Sequence, residues 1–109
     1  MIVAAVPDLL FRSRIEEVAR HTGAQVKMVR DAPALLSEIQ SRPSLVVIDL
    51  EAIPVETVQA IRRESPELRI IGFLSHVHRE LRAQALEAGC TEALARSEFT
   101  KRLSEILTP

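Results

Sequence analysis

Four short clusters of this chain carry side chains able to do chemistry. Asp49 closes the apolar run Leu45-Val46-Val47-Ile48, and Glu51 stands two residues beyond it. Ser75, His76 and His78 form a second group, Arg96-Ser97 a third, and Asp8, behind Val6-Pro7, a fourth. A carboxylate can attack an electrophile or hold a divalent cation, while hydroxyl and cationic groups bind anionic oxygens. Each residue also has a plainer reading. A lone acid at a strand end commonly stays solvated or pairs with an arginine, and Glu51 reads as a loop carboxylate facing solvent that could supply a metal oxygen. Ser75 suits a turn as well as a switch hydroxyl, and Asp8 suits a helix cap. His76 and His78, two residues apart with no third ligand nearby, make a poor zinc set. Their protonation near neutral pH would alter the local surface. Cys90 is the single cysteine. It lacks a Cys-x-x-Cys partner and reads as a small buried thiol.

The elements that must position these groups alternate between short apolar runs and amphipathic stretches. Ile2–Val6 predicts a strand, followed by a helix capped by Asp8, with Phe11, Ile15, Val18, Ala19 and Thr22 on one face and Gly23 as its stop. Ala24–Val29 alternates, as an edge strand covered on one face does. Asp31 caps the next helix, whose apolar face is Leu35, Leu36 and Ile39, and Pro43 ends it. Ser44–Leu50 carries the continuous apolar run Leu45-Val46-Val47-Ile48 ending in Asp49 and predicts a central strand. Pro54 occupies a first-turn position of a third helix facing inward through Val55, Val58 and Ile61. Leu68–Leu74 is a fourth strand, and a helix from Arg79 to Ala88 turns Leu81, Ala85 and Ala88 inward. Ala93–Ala95 is a short fifth strand, and Ser97 is placed to cap a last helix carrying Phe99, Leu103, Ile106 and Leu107. Arg62, Arg63, Arg79 and Arg82 read as solvated helix faces. Five strands, each followed by a helix, predict a three-layer (βα)5 α/β sandwich. In such a sheet ligands bind beyond the carboxyl ends of the strands, where all four clusters fall.

The chain has 109 residues, of which 47% are hydrophobic, enough for a core without metal or disulfide staples. Residues 1–109 are read as a single domain. Fourteen basic against 15 acidic residues and only three aromatics, all Phe, give no reason to expect nucleic acid or a membrane surface as partner. No signal-peptide pattern or long apolar run is present, so the expected location is cytoplasmic. Gly-x-Gly-x-x-Gly, the P-loop and the Gly-x-Ser-x-Gly elbow are all absent, leaving nucleotide and acyl-transfer roles without an anchor.

Three local patterns carry a resemblance. The third strand ends Val47-Ile48-Asp49-Leu50 with Pro54 shortly after, Ala85-Leu86-Glu87-Ala88-Gly89 precedes the fifth, and the first helix contains Leu10-Phe11-Arg12-Ser13. Over nearly its whole length the chain resembles the receiver domain of bacterial two-component response regulators. The resemblance implies the flavodoxin-like strand order 2-1-3-4-5. In active members an aspartate closing the third strand accepts a phosphoryl group, two acids after the first strand help hold Mg²⁺, a Ser or Thr follows the fourth, and a lysine the fifth.

Asp49 matches the phosphoacceptor position and Ser75 the switch hydroxyl. Val6 and Pro7 stand where the two acids belong, leaving only Asp8, and Arg96-Ser97 replaces Lys-Pro. His76 stands where a small residue is usual. The resemblance therefore points to a degenerate receiver, with Arg96 pairing Asp49 in place of metal and phosphoryl group. Such a stand-alone pseudo-receiver would bind a partner protein, without turnover, cofactor or obligate phosphorylation. Its implied interaction face, also suited to a homodimer, is the fourth helix, fifth strand and fifth helix: His78, Arg79, Arg82 and Leu86, then Ala93 and Ala95, then Lys101 and Glu105. The alternatives are a working receiver phosphorylated on Asp49 with Mg²⁺, and a small α/β ligand-binding domain or enzyme using the same crevice.

Overall fold

The computed structural model describes residues 1–108. The chain alternates β1 (Ile2–Ala5), α1 (Leu9–Thr22), β2 (Val26–Val29), α2 (Ala32–Glu38), β3 (Leu45–Asp49), α3 (Val55–Glu64), β4 (Arg69–Leu74), α4 (Arg79–Ala88), β5 (Glu92–Ala95) and α5 (Arg96–Leu107). All strand pairs are parallel and the order is β2-β1-β3-β4-β5. This is the flavodoxin-like arrangement expected from the sequence.

The pattern of side chains explains the layers. Every residue of β1 and β3 is buried, because a central parallel strand has helices over both faces. Odd and even residues then feed opposite cores. Val3, Ala5, Val46, Ile48 and Ile70 pack beneath α2, α3 and α4. Ala4, Val47, Ile71 and Phe73 pack beneath α1 and α5, against Phe11, Ile15, Phe99 and Leu103. In the edge strand β2 only Val29 is buried. The register sets Ala5 beside Ile48, Asp49 beside Phe73, and Phe73 beside Leu94, so the carboxyl ends of four strands share one rim.

Several boundaries differ from those expected, each for a local reason. Strand pairing of β2 begins at Val26 rather than Ala24, because the Ala24 amide is used in closing the helix before it, on the carbonyl of Ala19. Helix α2 stops at Glu38 and tightens into one 3₁₀ turn, Ile39–Ser41, ahead of Pro43. Leu36 is 37% exposed and not part of the inward face, since a seven-residue helix turns only one narrow stripe to the sheet. Pro54 is the extended residue before α3, one position earlier than expected. Ser97 is no cap: α5 starts directly from β5 at Arg96, and Ala95 precedes it without a side-chain bond. Asp8 and Asp31 do cap α1 and α2. Asp8 Oδ1 accepts the amides of Leu10 and Phe11 at 2.9 and 3.2 Å, and Asp31 Oδ1 accepts that of Ala34 at 2.9 Å.

Among the described residues no helix is long and apolar enough to cross a membrane.

Candidate functional site

The rim formed by β1, β3, β4 and β5 brings Asp49, Glu51, Ser75, His78 and Arg96 together, although they come from the end of β3 and its loop, from the loop after β4 and from the direct β5–α5 junction. Leu50 decides how the first of these loops turns. Its amide donates to the Phe73 carbonyl at 3.0 Å, and its side chain rests directly on Gly72, where a Cβ would lie 2.5 Å from Leu50 Cδ1. A side chain at 72 would push Leu50 away and carry the Asp49–Glu51 loop with it.

Asp49 is buried, with 5% exposure. Its Oδ1 accepts the Glu51 amide at 3.0 Å, and its Oδ2 lies 3.9 Å from Arg96 Nη2. Glu51 is an exposed loop residue, and its side chain, 26% exposed, also reaches across the rim. Its Oε1 accepts the Ser75 amide at 3.0 Å and stands 3.7 Å from Arg96 Nη2, while Oε2 is 3.2 Å from His78 Nδ1. The amide of Ser75 and the guanidinium of Arg96 reward that reach. The carboxylate thus bridges the loops after β3 and β4.

Arg96 has a second set of partners that residue spacing does not reveal. Its Cζ lies 5.0 Å from the Phe11 ring centroid and 5.3 Å from that of Phe73. All three phenylalanines of the chain meet here, with centroids 4.7 to 5.8 Å apart. The guanidinium is therefore held on aromatic faces on one side and by two carboxylates on the other. A planar cation suits this position better than an ammonium would.

Burial pushes the Asp49 carboxyl above its ordinary value. The Glu51 amide and the Arg96 charge act against that rise, and the charges of Glu51 and Asp8 add to it. A folded pKa above the unfolded one means that the folded chain keeps a proton which the unfolded chain has already released. Stability contributed by this group is therefore full below the unfolded pKa and falls as pH rises through the folded one. Asp49→Asn should consequently be more stable than the parent at pH 7, with the difference shrinking as the pH is lowered through the carboxylate range. Thermal melts of both proteins between pH 4 and 8 measure this, and a constant offset at all pH would contradict it.

The site does not fit a divalent cation. Val6 is wholly buried, Pro7 has no donor side chain, and Asp8 is spent on two amides of α1. A guanidinium stands beside the carboxylate where Mg²⁺ would need octahedral oxygen ligands. Among the described residues no group of three His, Cys, Asp or Glu side chains is placed to hold a metal ion.

His76 is exposed beside Ser75, outside the carboxylate network. It lines a cleft of about 560 Å³ between α1 and α5 that also reaches Ser75 and Arg96. Of the expected interaction face, His78, Arg79, Arg82, Leu86, Lys101 and Glu105 are exposed and Ala95 is half-buried. Ala93 is not available to a partner. It is 2% exposed and belongs to the core beneath α4, because β5 alternates and turns this residue inward. Cys90 is buried and its thiol is pushed up to about 11 by desolvation, which suits packing and not nucleophilic work. Arg62 is also not a solvated arginine: its guanidinium donates to four backbone carbonyls.

Comparison with solved structures places this geometry in a known fold. The receiver domain of NtrX from Brucella abortus superimposes with a TM-score of 0.84 at 20% identity, covering 97% of this chain and 93% of that one. The chemotaxis response regulator CheY4 of Vibrio cholerae gives 0.84 at 19% identity, with the same coverage. The beryllofluoride-activated NtrC4 receiver domain dimer gives 0.77 at 14% identity, covering 98% of each chain. The chain has the receiver-domain fold of response regulators. No protein-family profile matches it, and no curated protein does.

Proposed function

We propose that this chain is a pseudo-receiver: a signalling module that acts by binding another protein, with no turnover, no resident cofactor and no obligate phosphorylation. The observation that carries this reading is the Arg96 guanidinium seated between Asp49 and Glu51 and stacked on Phe11 and Phe73. A cation fixed there supplies internally the positive charge that a metal ion would otherwise bring to the carboxylate. The three segments are then held in one arrangement without modification, and Glu51 ties α4 to the rim through His78. The receiver-domain fold supports a role in two-component signalling, and the near-balanced charge and scarcity of aromatic residues support a reading with no nucleic acid or membrane partner.

The proposed contact surface is the exposed side of α4, β5 and α5, presenting His78, Arg79, Arg82, Leu86, Lys101 and Glu105. Leu86, 44% exposed among charged neighbours, is its apolar centre. The NtrC4 receiver with which this chain shares its fold is a dimer, and a second copy of this chain is one such partner. Amide-resolved NMR with Mg²⁺, then beryllofluoride, on the parent and on Asp49→Asn tests the reading. A well-dispersed spectrum that neither reagent moves is the expected result. Saturable shifts at Asp49 and Ser75 that spread to β5 and α5 and vanish in Asp49→Asn would overturn it in favour of a phosphorylated receiver.

A further inference from the structure

We propose that the cleft between α1 and α5 is a binding site for a small organic anion with an apolar body, such as an aromatic or branched aliphatic carboxylate. Its volume, about 560 Å³, lies in the range of small-molecule sites, roughly 300–1,000 Å³. The walls supply the two halves of that chemistry. Leu10, Phe11 and Ala95 form an apolar side, and Leu10 is 85% exposed there. An amphipathic helix gains nothing in folding from a leucine so placed, and a ligand laid against it would remove that surface from water.

The polar part of the lining is Arg14, Arg96, Ser97 and Thr100. Arg14 lies one turn from Leu10 on α1 and has no ion pair among the described residues. Arg96 is 39% exposed even with its aromatic and carboxylate contacts, so part of its guanidinium remains open to the cleft. Asp8 is the one acid among the residues lining the cleft, and its Oδ1 is engaged by two helix amides. A carboxylate bridging Arg14 and the open part of Arg96 would have two charge-assisted partners, with Ser97 beside them. A neutral ligand would leave Arg14 unanswered, and an anion without an apolar body would leave Leu10 in water. The proposal rests on the preceding reading only through Arg96, which must stay in place when the ligand binds.

The test is an NMR titration of the labelled chain with 1-naphthoate, 1-naphthalenemethanol and acetate. Naphthoate should give saturable shifts at Leu10, Arg14, Ser97 and Thr100, about tenfold tighter than the neutral alcohol and tighter than acetate. Arg14→Gln should weaken naphthoate about tenfold and leave the alcohol unchanged, whereas Leu10→Ser should weaken both. Arg20→Gln, on the last turn of α1, should change nothing. Equal binding of naphthoate and its alcohol, acetate binding as tight as naphthoate, shifts centred elsewhere, or an Arg14→Gln protein that binds like the parent would each overturn the proposal. The two readings fail separately. A beryllofluoride response abolished by Asp49→Asn overturns the unphosphorylated reading without touching naphthoate binding, and absent naphthoate shifts overturn this one while beryllofluoride stays silent.

Discussion

Replacing Arg62 with alanine is expected to lower folding stability by about 3–4 kcal/mol, an effect of the size usually seen for core truncations. Its Nε and Nη2 donate to the Gly89 carbonyl at 3.0 and 2.6 Å. Its Nη1 donates to the carbonyls of Ser65, Pro66 and Leu68 at 3.0, 3.0 and 2.7 Å. Ser65 and Gly89 are the residues on which α3 and α4 end, and Pro66 and Leu68 lie in the link from α3 to β4, so one guanidinium serves the negative ends of two helices and also the turn between α3 and β4. Hydrogen bonds to a charged group contribute about 1.5–3 kcal/mol each, less where water can replace them. The contact is tight enough that a Cβ at Gly89 would stand 2.8 Å from Arg62 Cβ, and Gly89 also holds a φ of 130°. Lysine cannot span four carbonyls with one ammonium, so Arg62→Lys should recover less than half of the loss. Urea unfolding of the three proteins measures this, with a melting-temperature drop on the order of 15 °C for alanine. A loss below about 1 kcal/mol would mean that water serves these carbonyls equally well.

Arg96→Gln should have the second largest effect, a loss of about 1–2 kcal/mol at neutral pH. The substitution removes the cation from the Phe11 and Phe73 faces and leaves the neighbouring Asp49 and Glu51 carboxylates without the guanidinium they share. Asp49, already pushed up by burial, loses the neighbouring positive charge that opposes the rise. Its charged form then becomes more costly, and the loss should deepen as pH increases through the carboxylate range. Adding Asp49→Asn to Arg96→Gln should restore most of the stability, because the double variant no longer buries an unanswered carboxylate. The cycle of parent, two single variants and double variant isolates the coupling between the two side chains. Additive effects would show that Arg96 acts through its aromatic contacts alone and would remove the electrostatic basis of the self-held site.

Much of the frame was legible in the residues. Leu45-Val46-Val47-Ile48 reads as a strand buried on both faces because a central parallel strand needs apolar residues at every position. Asp8 and Asp31 read as caps because a short carboxylate reaches the free amides of the next turn. The strand ends define the rim, so residue order alone places Asp49, Ser75 and Arg96 on one edge. Ser97 misled because cap chemistry was present in sequence while the chain passed from β5 into α5 without a turn to use it. Ala93 is not on the accessible face because β5 is covered on both sides, with Ala93 in the core beneath α4 and Leu94 in the core beneath α5, and a short strand does not show this until its pairing beside β4 is known.

What the sequence determined by itself, then, is the alternation of strands and helices, the sheet edge on which the polar residues gather, and the absence of a carboxylate at Val6 and Pro7. These follow from local periodicity and from identity at single positions, which act over a few residues of chain. Only the tertiary structure decided that Glu51 reaches across to the Ser75 amide, that Arg96 rests on Phe11 and Phe73, and that Arg62 ties together two helix ends. Each of these joins groups more than twenty residues apart, and the direction of a long flexible side chain is set by the partners that packing brings within reach.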